Sequence, residues 1–134
     1  MRYESSTGRV RRIQRWRRFA PEALNVRAAR DFVADALAGG GFRGDTDTVL
    51  LLVSELVTNA VRHAATPFEI TVDVQDGGVR VAVIDDDVDH PPQVGHPRPE
   101  DTNGRGLLIV DELAVRWGSD EVGAGSKAVW FTVA

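Results

Sequence analysis

The stretch Ser54-Glu55-Leu56-Val57-Thr58-Asn59-Ala60-Val61-Arg62-His63-Ala64 decides how the rest of the chain is read. Just before and within it, Val49, Leu52, Val53, Leu56, Val57 and Ala60 recur at three- and four-residue spacing, which predicts a helix with one buried face. Glu55, Asn59 and Arg62 or His63 fall at i, i+4 and i+7 or i+8, so they stack along one polar edge of that helix. An amide one turn from a carboxylate suits a hard, oxygen-liganded cation, because the amide oxygen can reach magnesium while the carboxylate orients water. Taken alone, such a pair is more often the solvated outer face of a helix, and its meaning rests on what surrounds it.

Upstream, Pro21 opens an earlier helix in which Leu24, Ala28, Phe32, Val33, Ala36 and Leu37 share a face, and Gly39-Gly40-Gly41 ends it. Phe42-Arg43-Gly44 is a short connection, and Asp45 is a good N-cap for the helix already described. Before Pro21, the Val, Ile, Trp and Phe content from about Arg9 to Phe19 predicts a strand, and residues 1–8 are polar and expected to be a disordered tail.

Downstream, the helix must stop before Pro67, since the residue preceding proline is pushed out of the helical region. Phe68, Ile70, Val72 and Val74 then alternate with polar residues, Asp76-Gly77-Gly78 turns the chain, and Val79, Val81 and Val83 alternate again: a hairpin with one apolar face. The pattern breaks at Asp85-Asp86-Asp87-Val88-Asp89. Residues 88–103 carry Pro91, Pro92, Pro97 and Pro99 without periodicity, a long loop of the kind that is functional or mobile. Thr102 or Asn103 can cap a short helix over Gly104–Leu113, and two closing strands, about 115–122 and 126–133, flank Gly123-Ala124-Gly125. This order predicts an α+β fold: one domain over residues 9–134, a two-layer sandwich with an antiparallel or mixed sheet and helices on one face.

Composition narrows the function classes. The 134 residues are 43% hydrophobic and 27% charged, ordinary for a globular chain, and no apolar run reaches the length of a membrane helix. With no hydrophobic leader at the N-terminus, the expected location is cytoplasmic. The absence of cysteine removes disulfides, thiolate metal sites and cysteine nucleophiles, so any metal is held by oxygen or imidazole. Charge is uneven: residues 1–30 hold nine arginines against two acids, a net of +7, while residues 31–134 hold seven basic against eighteen acidic residues, a net of −11. A basic arm can contact nucleic acid, but Arg11, Arg12, Arg15, Arg17 and Arg18 interleave with Val10, Ile13, Trp16 and Phe19, which suits an edge strand or a surface for an acidic protein better.

Beyond the first stretch, each chemical signal is weak by itself. Asp85 stands where a strand meets a loop, a place from which a carboxylate can accept from an exocyclic amine such as that of adenine, although most strand-end aspartates only make turns. The D-x-D-x-D start at Asp85 fails as a calcium loop, because His90 and His96 occupy the positions of the required glycine and glutamate. Gly104-Arg105-Gly106 at a helix start can present N–H groups and a guanidinium to phosphate, but lacks the lysine of a P-loop. Gly125-Ser126-Lys127 heads the last strand, where a lysine is usually just solvated. His63, His90 and His96 match no zinc spacing.

In this order and at these separations, Glu55-x-x-x-Asn59, Asp85, Gly104-x-Gly106 and Gly125-x-Lys127 resemble the four sequence boxes of the GHKL ATP-binding superfamily of gyrase B, histidine kinases and MutL. The fuller segments, Glu55–Ala64, Gly104–Val110 with Trp117-Gly118, and Gly125–Phe131, look most like its stand-alone members, the RsbW-type serine-kinase anti-sigma factors and their short regulatory relatives. The resemblance implies a Bergerat ATP-binding fold over roughly residues 20–134. It implies that Asn59 binds magnesium, that Glu55 is the catalytic carboxylate, and that Asp85 takes the adenine amino group. Gly104, Arg105, Gly106 and Leu107 would cradle phosphate, residues 88–103 would form a lid, and Arg62, His63 and Lys127 would complete the ATP-binding set. It further implies a serine of a STAS-domain anti-anti-sigma protein as phosphoacceptor and a sigma factor as the alternate partner, with a homodimer left open and neither membrane nor nucleic acid expected. One departure stands out: the second box usually carries glycines where this chain has Asp87 and Asp89, which restricts backbone approach to adenine and adds negative charge near a triphosphate. The rival expectation is a non-catalytic binding module of the same fold.

Overall fold

The computed structural model describes residues 12–64, 66–86, 102–123 and 125–134, with side chains throughout except at 12, 13, 63, 64 and 102–107. The expected tail at 1–8, the strand start at 9–11, the proposed lid over 88–101 and the acidic positions Asp87 and Asp89 lie outside these residues, as do His90 and His96.

Five strands, β1 (Arg12–Phe19), β2 (Phe68–Gln75), β3 (Gly78–Asp85), β4 (Arg116–Glu121) and β5 (Lys127–Val133), form one sheet in the order β1-β2-β3-β5-β4. Every neighbouring pair is antiparallel, so the fold is α+β with an antiparallel sheet. Three helices, α1 (Asn25–Gly40), α2 (Thr46–Asn59) and α3 (Thr102–Leu113), accompany it. The alternation read from the sequence maps directly onto the sheet. Phe68, Ile70, Val72 and Val74 of β2 and Val79, Val81 and Val83 of β3 are all buried, and a two-residue loop with positive φ at Asp76 and Gly77 (53° and 84°) joins these strands as a type I′ turn.

The expected stripe of α2 is also the observed one: Val49, Leu52, Val53, Leu56, Val57 and Ala60 are buried. Asp45 caps the helix, its Oδ1 accepting from the Thr48 N–H at 3.3 Å and its Oδ2 from the Thr48 hydroxyl at 2.9 Å. These bonds to the ionised form, the hydroxyl first, hold the Asp45 carboxyl below its ordinary value.

The start of α1 and the end of α2 differ from expectation. Helix α1 begins at Asn25 rather than at Pro21, because its cap position is Leu24, which has no side-chain acceptor. Residues 21–24 instead make turns, and the Asn25 amide donates back to the Ala20 carbonyl at 2.8 Å. Its other end falls within Gly39-Gly40-Gly41 as the sequence indicates, with Gly41 as the left-handed cap (φ 73°) and Phe42 N–H donating to Leu37 O at 3.0 Å. Helix α2, which the sequence predicts to stop just before Pro67, keeps its α-helical winding only to Asn59, and Ala60–Ala64 forms a π-helical turn.

Between the layers, Phe19 stacks on Phe68 with centroids 5.3 Å apart and meets Phe32 edge-on at 6.1 Å, so β1, β2 and α1 share one aromatic cluster. Phe68 is fully buried. Truncation to Phe68→Ala removes its stacking partner and leaves a cavity that a rigid sheet cannot fill, and should cost about 3–5 kcal/mol in urea unfolding at unchanged m-value.

Candidate functional site

Helix α2 packs beside α1 on one flank and α3 on the other, and it also touches β3, so it is common to the elements that carry the sequence signals. Glu55 and Asn59 lie one turn apart on it, both half-buried. Burial withdraws water from Glu55 and pushes its carboxyl above the ordinary value. Asn59 is the last residue of α2 proper. The π-helical turn that follows packs against β3, the strand that ends in Asp85. Its wider i→i+5 winding takes positions 62 and 63 out of the α-helical register expected with Asn59, and short π-turns of this kind recur at functional sites. Arg62 is exposed, and the His63 side chain lies outside those described.

Asp85 and Lys127 face each other in the β3–β5 register on the helix-covered side of the sheet. They are 4% and 9% exposed, and Lys127 Nζ lies 3.9 Å from Asp85 Oδ1. The sequence alone treats Lys127 as a solvated strand lysine or a phosphate ligand; its pairing with Asp85 is visible only once the register is known. Neither charge would be tolerated so deep alone, and together they place an acceptor and a donor at the strand ends. Asp86, next along, is fixed by two residues to which the sequence alone assigns no role. Ser126 Oγ donates to Asp86 Oδ1 at 2.8 Å, and the Asp86 N–H donates to Thr66 Oγ1 at 3.5 Å.

Gly104, Arg105, Gly106 and Leu107 fall within the first half of α3, which starts at Thr102, two residues earlier than expected. Their side chains are outside those described. The helix is tied to β4 by Trp117 Nε1, which donates to Asp111 Oδ1 at 2.8 Å, and Val110 is fully buried. A separate groove of about 610 Å³, lined by Leu24, Val26, Arg27, Arg30, Ala34 and Leu50, lies against α1 and holds none of the predicted residues.

Magnesium and ATP are the groups this kind of fold implies, and the donor set fits them. Among the described residues no cluster of three or more His, Cys, Asp or Glu could by itself hold a metal. An amide oxygen at Asn59 and a nearby carboxylate suit a hard cation that takes most of its ligands from phosphate oxygens and water. The buried Asp85 carboxylate, at the strand end beside the π-turn, suits the exocyclic amine of a base.

An antiparallel five-stranded sheet whose helix α2 carries an acid and an amide on its polar edge defines a GHKL-type α+β fold. The sequence profile described as histidine kinase-like ATPase domain matches residues 19–133, and the chain belongs to that family. No curated protein matches it. Among solved structures, the crystal structure of the RsbU and RsbW domains of Rv1364c from Mycobacterium tuberculosis is similar in fold, with a TM-score of 0.61 at 21% identity over 88% of this chain. That likeness spans 32% of the other chain's length. The fold expected from the sequence boxes, the GHKL RsbW type, is therefore the fold observed. No helix of the described residues is long and apolar enough to cross a membrane.

Because Glu55 keeps its proton to higher pH folded than unfolded, its contribution to stability is greatest in acid and is lost as pH rises from its ordinary value of 4.5 through the raised folded value. Glu55→Gln removes the cost of burying the charge. The variant should melt above the native chain at neutral pH, and the gain should vanish below the ordinary value; Tm measured against pH checks both limbs.

Proposed function

We propose that the chain is an ATP-binding regulatory protein that acts as a serine kinase of the anti-sigma type. In this reading Asn59 contributes its amide oxygen to a magnesium ion that neutralises phosphate charge, and Asp85 accepts from the adenine amino group beside Lys127. The first turns of α3, with Gly104, Arg105, Gly106 and Leu107, take the phosphates, with Arg62 and His63 nearby. Glu55 accepts the proton of the acceptor hydroxyl, a role for which a desolvated carboxylate is well matched, since burial raises its basicity. The acceptor is a serine of a STAS-domain partner, and a sigma factor is the protein alternately held.

The observation that carries the proposal is the composition of α2: a desolvated acid and an amide one turn apart, at the end of a helix that packs on both β3 and α3. Membership of the histidine kinase-like ATPase family supports the same conclusion. Phosphoryl transfer is mainly positioning and charge stabilisation, which such a set can supply.

A second reading, a regulatory module that binds proteins of the same class without catalysis, is favoured by one observation. Asp85 already has Lys127 at 3.9 Å and Asp86 is tied to Ser126, so the base-recognising end of β3 is engaged within the chain.

Magnesium-ATP should raise the melting temperature of the native chain, with about 2.7 kcal/mol of added stability at one hundred times the dissociation constant. Asn59→Ala should abolish most of that shift. Glu55→Ala should keep the shift yet slow transfer of labelled phosphate to STAS proteins by about 10²–10⁴-fold. A native chain that shows neither shift nor transfer establishes the binding module instead.

A further inference from the structure

Where β3 ends and β5 begins, the inner face of the sheet changes from aliphatic to charged. Asp85 stands opposite Lys127, and the pair behind them on the same face, Val83 and Val129, is buried. Lys127 Nζ lies 3.9 Å from Asp85 Oδ1, farther than a hydrogen bond reaches, so that contact is an ion pair. An ammonium has three donors and an ionised carboxylate about four acceptor positions, more than one mutual contact can use. Immediately beyond, Ser126 Oγ donates to Asp86 Oδ1, which ties the two strand ends together. Thr66 Oγ1 accepts from the Asp86 N–H and anchors the same backbone from a third side. The pair is therefore held in place on a fixed strand end.

A carboxylate by itself reads adenine. It accepts from the exocyclic amine on C6, and it opposes guanine, which carries a carbonyl oxygen on the same ring carbon. A site that leaves a buried polar group so mismatched rejects the wrong ligand by orders of magnitude. Here the carboxylate is half of a pair. Toward adenine, Asp85 accepts from the C6 amine while Lys127 donates to a ring nitrogen; toward guanine, Lys127 donates to O6 while Asp85 accepts from the ring N–H or the N2 amine. Each base presents a donor next to an acceptor, and the pair supplies one of each. We infer that the site takes guanine nucleotides as well as adenine nucleotides, and that Lys127 is the specificity-determining residue that admits guanine. The inference rests on the nucleotide-binding reading proposed above and adds to it the class of base.

The competing account is that the two charges only neutralise each other for the sake of the fold. Stability gives little reason for them, because a buried ion pair is often no better than apolar residues of the same volume. The neighbouring inward positions of both strands, Val81, Val83, Val129 and Phe131, already use that apolar solution. The ions stand only at the strand ends, beside the π-turn that leads out of the helix carrying Glu55 and Asn59. An acceptor and a donor fixed side by side at that end are matched to a ligand edge, whereas a core position would want neither.

Calorimetric titration of the full native chain with magnesium and each nucleoside triphosphate tests the inference without any variant. GTP should bind no more than about tenfold more weakly than ATP, and both should bind more tightly than CTP or UTP, which report what the triphosphate alone contributes. Purine riboside triphosphate, which has no group on C6, should bind about tenfold or more weakly than either purine nucleotide. Lys127→Met keeps the stem and removes the donors; it should lower the affinity for GTP about 10–100-fold more than that for ATP, the contribution of one charge-assisted hydrogen bond. Lys127→Arg, which keeps a charged donor, should hold the ratio near its native value. The ratio is the readout, because loss of a merely structural partner changes both nucleotides alike. If Lys127→Met does not fold, the native chain and the C6-free nucleotide still decide. A wider gap in favour of ATP overturns the inference and leaves the ATP reading intact. Equal binding of all the triphosphates, or a folded Lys127→Met chain with the native ratio, also overturns it. A chain that binds no nucleotide overturns the reading beneath it, and the inference with that reading.

Discussion

Burial of one stripe on α2 fixes everything around it. Val49, Leu52, Val53, Leu56, Val57 and Ala60 are held out of water between the layers, and a helix with one face so committed has no rotational freedom about its axis. The direction of Glu55 and Asn59 follows from that commitment. They occupy the margin of the buried stripe, wet enough to meet a ligand and dry enough for Glu55 to feel its loss of solvent. The same stripe brings α2 onto β3 and leaves its flanks to α1 and α3, so the helix that carries the acid and amide is also the one that the other motif-bearing elements touch.

Several features around that helix cost stability. A desolvated carboxylate at Glu55, two buried charges at Asp85 and Lys127, and a π-turn where an α-helix would keep tighter bonds are each less favourable than an apolar or regular alternative. Elsewhere the chain keeps local rules: Asp45 caps, the Asp76-Gly77 loop is the turn type a hairpin wants, and the inner face of β2 alternates without error. Departures gathered at one end of a fold that is otherwise consistent are what a functional site looks like in energetic terms.

Those same departures mark where sequence reasoning stopped. Periodicity revealed the strands, the buried stripe and the layer order, because each depends on spacing within one segment. The N-cap at Asp45 was legible for the same reason. The late start of α1 was not, since Pro21 is a good first-turn residue and only the absence of a cap at Leu24 moves the boundary. The π-turn was hidden because Ala60–Ala64 contains nothing that disfavours an α-helix; the constraint comes from packing on β3 and from the approach to Pro67. The Asp85–Lys127 pair was hidden because it joins residues far apart in sequence through a strand register, and the Ser126–Asp86 bond for the same reason. In the sequence all four stand only as polar residues at strand ends, without a partner to give them meaning.

The arginine-rich first strand shows how a charge run changes sense once it is folded. As sequence it is a basic arm; as β1 its side chains alternate between the two faces. On the helix side, the Arg17 guanidinium lies 5.1 Å over the Phe19 ring, and Arg15 reaches Gly39 of α1, within 2.8 Å of where a Cβ would stand. These two arginines use their stems to seal the margin of the core. On the open face Arg18 stands 3.3 Å from Glu69, beside exposed Trp16. Binding to a nucleic-acid backbone needs one surface of one sign along the phosphates, and the described part of β1 divides its positive charge between two surfaces, one of them neutralised by its neighbours. Charge at the sheet edge instead discourages indiscriminate strand pairing.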